Sequence, residues 1–253
     1  MVNKAQVSLF FIFGVIILIG VAFINYLSSA KQVAEASREA EISISNPQLA
    51  LKAQIQSNVN FCVGEISKKA LRYAGLRGGY YNVPEPKITD DAQDMPMYTY
   101  LSQNTSPSLL TIEAQISEYI KEQLPICINS LEFENTQLTG QLNWVKSAIV
   151  KDKVIVRANY PLSLQRADLT LIASDFSSEI PLRLDAIYGI ALEIAESQLK
   201  NKGTLCVDCI AELAEKNNFD IDVDLEEKNL VFTIFDNAVT IDGDSYVFSF
   251  ATD

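Results

Sequence analysis

Four cysteines are the residues in this chain best placed to do chemistry: Cys62, Cys127, Cys206 and Cys209. Cys206-Val207-Asp208-Cys209 is a C-x-x-C at the start of a short predicted helix. A dithiol there suits a thiol–disulfide oxidoreductase, because a helix N-terminus lowers the pKa of the first thiol. That chemistry usually sits in a βαβ setting. Here a helical pattern and Gly203 come first, so a local structural disulfide is the competing reading. Cys62 and Cys127 each fall on the apolar stripe of a predicted helix. Outside the cytoplasm two such cysteines form a disulfide if their helices pack; otherwise they pack as small hydrophobes. A zinc site using all four thiols would need two isolated ligands to meet one close pair, a less regular spacing than zinc ribbons show.

Other chemistry is sparse. The chain has no histidine, which removes the commonest general base and the commonest zinc ligand. Asp220, Asp222 and Asp224 alternate with Phe219, Ile221, Val223 and Leu225. A calcium loop of the EF-hand type needs glycine where Leu225 stands, so the pattern predicts an amphipathic strand with an acidic outer face. Nucleophile elbows, phosphate loops and dinucleotide fingerprints are absent. The expectation leans away from an enzyme and includes no cofactor and no metal. Residues 80–108 carry Pro84, Pro86, Pro96 and Pro107 with Tyr80, Tyr81, Tyr98 and Tyr100. They predict a long ordered loop with short edge strands. Its tyrosines either form a binding surface or cover the core with their hydroxyls wet.

Charge narrows the partners. Of 253 residues, 32 are acidic and 20 are Lys or Arg, a net charge of −12. Lys4 is the sole charged side chain before Lys31, so the acidic excess falls after it. Such a surface repels nucleic acid and anionic headgroups. It suits solubility, a cationic partner, or a salty or acidic medium, and the partners expected are proteins or other cell-surface groups.

The elements that would position these residues begin with an anchor. Val7–Leu27 is a run of 21 residues without a charged side chain. At about 1.5 Å per residue it spans roughly 31 Å as a helix, against a hydrocarbon core of about 30 Å. It predicts a transmembrane helix after a short cytoplasmic leader, residues 1–6, with the bulk of the chain extracytoplasmic. A cleaved secretory signal ending at Ser28-Ser29-Ala30 is the alternative, although the apolar stretch is long for one. Self-association through this helix would make a homo-oligomer.

Lys4-Ala5-Gln6-Val7-Ser8 resembles the class III signal peptides of archaeal prepilins. The resemblance implies processing between Ala5 and Gln6 and a pilin-like filament subunit. Phe10 stands where pilins often carry the acid that helps a subunit dock. More widely, the chain resembles single-pass surface proteins of small-genome archaea. That resemblance rests on the K-x-Q-x-S start, Asn60-Phe61-Cys62, Gly75-Leu76-Arg77-Gly78-Gly79-Tyr80, Ile126-Cys127-Ile128 and Tyr246-Val247-Phe248-Ser249-Phe250-Ala251. It implies a place at the surface and no activity.

Beyond the anchor, residues 28–46 predict a polar helical stalk, broken at Ser45-Asn46-Pro47. A helix from there to Gly75 carries the stripe Leu51, Ile55, Val59, Cys62, Ile66 and Ala70. A second, starting near Ser108, carries Ile112, Ile116, Ile120, Leu124, Cys127 and Leu131, and Pro125 should kink it. Strands are expected at 144–150 and 154–160, joined by Lys151-Asp152-Lys153, and at Leu169–Ala173 and Glu179–Leu184. Asp185 is the expected cap of a helix to about Lys202, followed by a short helix near 206–216. Three strands, near 219–225, 229–235 and 245–251, close the chain, with Asp242-Gly243-Asp244 as a turn. The fold class is α+β: a transmembrane helix and stalk, a helical part with the Tyr/Pro loop at 47–136, and a part at 137–253 with helices on antiparallel strands. The function read from this is a membrane-anchored extracytoplasmic structural or binding protein. Its rivals are a pilin-like subunit and a membrane-tethered oxidoreductase using Cys206 and Cys209.

Overall fold

The computed structural model describes residues 47–90, 93–131, 137–166, 169–201 and 204–253. The predicted leader, transmembrane helix and stalk lie outside the described residues, as do Lys4, Ala5 and Gln6. No described helix is long and apolar enough to cross a membrane. The chain divides into two units, Met1–Gln54 and Ile55–Asp253, and the second holds the strands and the buried core.

Helix α1 spans Pro47–Gly75. Proline suits its first position, where a missing N–H costs nothing. Ile55, Val59, Cys62, Ile66 and Ala70 are buried as the spacing predicts, while Leu51 at the start of the stripe is half-buried. The helix ends in a turn with Gly78 and Gly79 at φ 53 and 89, where Gly79 N–H closes on the Ala74 carbonyl at 2.7 Å. Gly75 lets the helix end touch strand backbone: a Cβ there would collide with the Val247 carbonyl.

Two hairpins follow, β1 (Lys87–Asp90) with β2 (Gln93–Pro96) and β3 (Thr99–Tyr100) with β4 (Gln103–Asn104). Helix α2 spans Leu109–Asn129, and the Ser108 hydroxyl caps it by accepting from Thr111 N–H. It continues through Pro125 to Asn129. Ile112, Ile116, Ile120 and Leu124 are buried as the spacing predicts, each contributing roughly 1.5–3 kcal/mol of transfer free energy. Ile128 closes the stripe, however, and the predicted Cys127 and Leu131 are half-buried.

The first large sheet has β7 (Lys153–Arg166) at its centre. Along one edge run β5 (Gln137–Gly140) and β6 (Trp144–Val150); along the other runs β8 (Leu169–Pro181). Residues 151–152 make the β6–β7 turn, with Asp152 at φ 59. Val154, Val156, Ala158, Tyr160, Phe176 and Ile180 are buried. Strand β8 is one continuous element, where the sequence predicts two strands around a gap at 174–178. The polar gap is held by a neighbour. Asn60 Oδ1 of α1 accepts from Ser177 N–H at 3.1 Å, and Gln56 Nε2 donates to the Asp175 carbonyl at 2.8 Å. On the opposite edge α2 does the same for β6. Ser147 N–H donates to Ser117 Oγ at 2.9 Å and Ile149 N–H to Glu113 Oε1 at 2.7 Å. These bonds tie the helices before residue 136 to the strands after it.

Helix α3 spans Leu184–Lys200 and α4 spans Val207–Asn217. Arg183 occupies the N-cap of α3, not Asp185, which lies in the first turn. The Arg183 side chain makes no cap bond to α3 and is drawn instead to the buried Asp236 carboxylate. The predicted helix end at Lys202-Gly203 lies outside the described residues. The second sheet is antiparallel in the order β11 (Asp244–Thr252), β10 (Asn229–Ile241), β9 (Asp220–Glu226). Its inner face presents Phe232, Ile234, Phe248 and Phe250, all fully buried. Asp242 and Gly243, at φ 54 and 93, form the β10–β11 turn that Asp-Gly favours. Strand β10 runs on to Ile241 through an irregularity between Asp236 and Thr240. The described residues are thus α+β, with four helices and antiparallel strands.

Candidate functional site

The structure joins the four cysteines in two pairs. Cys62 on α1 and Cys127 on α2 are bonded with Cα atoms 5.8 Å apart, 65 residues apart in sequence. Cys62 is fully buried and Cys127 half-buried, and the bridge ties α1 to α2. Cys206 and Cys209 are bonded with Cα atoms 5.3 Å apart. These two pairs take up all four cysteines.

The second pair has the features of a reactive site. Cys206 is the N-cap of α4, and its Sγ accepts from Cys209 N–H at 3.3 Å. Cys209 is exposed and Cys206 half-buried. The pair opens onto a cleft of about 540 Å³ between α3 and α4, lined among others by Ile194, Gln198, Lys200 and Leu213. In the reduced form a thiolate on Cys206 would sit at the positive end of the helix with an N–H aimed at it. Leu205 and the α3 helix precede it, not a strand, so the setting is not the βαβ unit of thioredoxin-like enzymes.

The four tyrosines of the 80–108 loop do not form one exposed surface. Tyr98 is fully buried. Its ring stacks on Phe250 at 4.5 Å, and its hydroxyl donates to the Gly78 carbonyl at 2.9 Å. Burial pushes its pKa well above the ordinary tyrosine range, with Tyr80, Tyr188 and Tyr246 adding to the effect. Tyr80 is 8% exposed and is raised for the same first cause. The reason is register: Tyr98 N–H bonds the Ala251 carbonyl at 2.7 Å, which lays Met95, Met97 and Tyr98 along β11 as core. Only Tyr81 and Tyr100 reach solvent. Tyr100 lines a groove of about 670 Å³ with Leu101 and Lys228.

Tyr81 belongs to a cluster the sequence does not announce. Its ring lies 5.6 Å from Tyr73 and 5.2 Å from Tyr119, and its hydroxyl donates to Glu122 Oε2 at 2.7 Å. The Arg77 guanidinium sits 3.7 Å over the Tyr73 ring. Tyr73 and Tyr119 flank the apolar stripes of α1 and α2, a position readable only once the two helices are known to be neighbours.

A second unannounced constellation is an ion pair. Asp236 is fully buried, and Arg183 binds it through two nitrogens, Nε to Oδ2 at 2.9 Å and Nη2 to Oδ1. Arg183 also donates to the Asn217 and Asn218 carbonyls at 3.1 Å and stacks 4.1 Å over Phe219. This arrangement is a joint between α3, α4 and β10; it leaves no free acid or base for catalysis.

Asp220, Asp222 and Asp224 lie exposed on β9, an amphipathic strand with an acidic outer face. Comparisons with protein-family models, with curated proteins and with solved structures give no match.

Proposed function

We propose that the chain is a membrane-anchored, extracytoplasmic protein of the cell surface, with a folded part that serves structure or binding. The observation that carries this reading is the Cys62–Cys127 bridge. It joins a fully buried to a half-buried cysteine across 65 residues, and such bridges form and persist in oxidising compartments. Val7–Leu27 supplies the anchor, and Lys4-Ala5-Gln6 a signal of the class III type that puts such a chain at an archaeal surface. Native protein is expected to stay with membranes through carbonate and high salt, and protease added to intact cells should remove the part after Lys31. A freely soluble native form starting at Lys31, or free thiols at all four cysteines without reductant, overturns the reading. A chain starting at Gln6 together with threads in micrographs moves it to a filament subunit.

A second reading, a tethered thiol–disulfide oxidoreductase, is favoured by one observation: an exposed bridge at the N-cap of α4 beside a cleft. The reduced pair would take up a substrate disulfide's bond, becoming Cys206–Cys209 while the substrate leaves as two thiols. Turnover in insulin reduction with dithiothreitol, lost in Cys206→Ser, would support it. A bridge that resists glutathione and an enzyme-free rate in that assay would remove it.

A further inference from the structure

The long edges of the two large sheets are treated differently, and the difference points to a docking strand. Strand β8 is covered by Gln56 and Asn60 of α1, and β6 by Glu113 and Ser117 of α2. Strand β11 is covered by Met97–Thr99: Met97 bridges Ala251, Tyr98 N–H bonds its carbonyl, and Asp253 N–H donates to Thr99 Oγ1 at 3.1 Å. Strand β5 has four residues, too short to template another chain. Strand β9 has seven, ends its sheet, and pairs with no further strand among the described residues.

Both faces of β9 are unfinished as well. Opposite Phe232, Ile234 and Leu230 of the core face lie Val223 and Ile221, half-buried, and Leu225, 69% exposed. On the other face Asp220, Asp222 and Asp224 form an exposed row, and neither Asp222 nor Asp224 makes a salt bridge among the described residues. A strand laid beside β9 would set its alternate side chains against these two rows in turn. Room exists at both ends. A groove of about 780 Å³ flanks the start of β9, lined by Ala211, Ala214, Asn218, Asp220 and Ile221. The groove at Tyr100 and Leu101 lies by Glu226 and Glu227 at its end.

We infer that the free edge of β9 receives, by strand addition, an extended segment of a partner protein in which Lys or Arg alternates with apolar residues. Backbone pairing supplies the affinity, and the aspartate and apolar rows select the alternation. A second copy of this chain fits poorly, because β9 against β9 sets aspartates beside aspartates. The inference deepens the proposed binding role and rests on it. It does not depend on the anchor, which cell fractionation tests separately.

The test uses the full chain in a non-ionic detergent and a short fluorescent peptide alternating Lys and Val. Saturable binding is expected at physiological salt, with slowed amide exchange across Ile221–Leu225. A peptide of the same composition in two blocks, and the alternating peptide with every second amide N-methylated, should both bind much more weakly. Asp222→Lys with Asp224→Lys should weaken binding about tenfold or more and create affinity for the alternating Glu and Val peptide. No binding, equal binding of the block or N-methylated peptide, or protection elsewhere than β9 overturns the inference. Protection of β9 that grows with protein concentration and no peptide overturns it in favour of a second copy.

Discussion

Arg183 and Asp236 show what one pair of side chains does for the fold. A carboxylate with no exposed surface is tolerable only when it is paired and hydrogen-bonded. Asp236 has both guanidinium bonds and a third from Ala238 N–H at 3.0 Å. The planar fork of Arg183 also reaches two carbonyls at the end of α4, which a lysine ammonium could not reproduce. Arg183→Met should therefore cost about 3–5 kcal/mol, since it strands a buried charge, while Arg183→Met with Asp236→Asn should cost clearly less. Denaturant titration of both variants checks this, and equal losses would deny the pair its role. Nothing in the sequence marks these residues as partners. They are 53 apart, and Arg183 lies two residues before the aspartate that looks like the helix cap. The cysteines were legible for the opposite reason. Each of Cys62 and Cys127 sits at an i+3 or i+4 step of an apolar stripe, so their facing follows from helical period, although Cys62 is fully buried and Cys127 half-buried.

Helices and short strands follow from local pattern where one face is apolar. Helix α1 begins at the Pro47 break and ends at Gly75, α2 begins at the Ser108 cap, and the Asp-Gly turn lies between β10 and β11. Pattern fails at β8, whose Ser174–Ser178 stretch has weak strand preference. There α1 side chains and the buried Phe176 override local propensity. The bridge between α1 and α2 is an element-scale device. It closes a loop of 65 residues, for which chain entropy gives roughly 4 kcal/mol. Replacing Cys62 and Cys127 with Ala should lower stability by about 2–5 kcal/mol, and replacing Cys206 and Cys209 by much less, because that loop is tiny. Equal effects in thermal unfolding would contradict this.

A second device clamps α1 to the β10–β11 turn: Lys68 Nζ lies 2.8 Å from Asp242 Oδ1 and 2.6 Å from Glu65 Oε1. The hydrogen bond from Lys68 holds Asp242 below its ordinary value of 3.8, and the bond to Asp242, then that to Glu65, holds Lys68 above 10.5. A depressed carboxylate stabilises above its unfolded pKa and loses that contribution as pH falls through the folded one. A raised ammonium stabilises below its unfolded pKa and loses that contribution as pH rises through the folded one. The gap in Tm between the natural chain and Asp242→Asn should thus be flat between the two ordinary values, and shrink below 3.8 and above 10.5. A gap that widens at either end would reverse the assignment.

Across the whole molecule the helices act as edge covers as much as core formers, and that role is invisible to hydrophobic period. Glu113, Ser117, Gln56 and Asn60 lie off the apolar stripes and read as ordinary surface residues. Their use appears only when the sheet stands beside them. Unpaired strand edges template other chains, so covering β6 and β8 with side chains and leaving β9 lined by aspartates keeps each edge from self-pairing. The two strategies make different demands. On β6, Ser147 and Ile149 donate their N–H groups to Ser117 and Glu113, so removing those acceptors opens an edge whose seven residues carry a single charge, Lys146. Glu113→Ala with Ser117→Ala should therefore raise the rate of aggregation on mild warming, read by light scattering, while costing about 1–3 kcal/mol for the unsatisfied N–H groups. Asp222→Ala with Asp224→Ala should leave stability within about 0.5 kcal/mol, as exposed positions do. The aspartate variant should nevertheless aggregate faster than the natural chain, because the charge that keeps β9 apart from its like is gone. Aggregation of the β6 variant at the natural rate would mean that its edge is guarded by something other than the two α2 side chains.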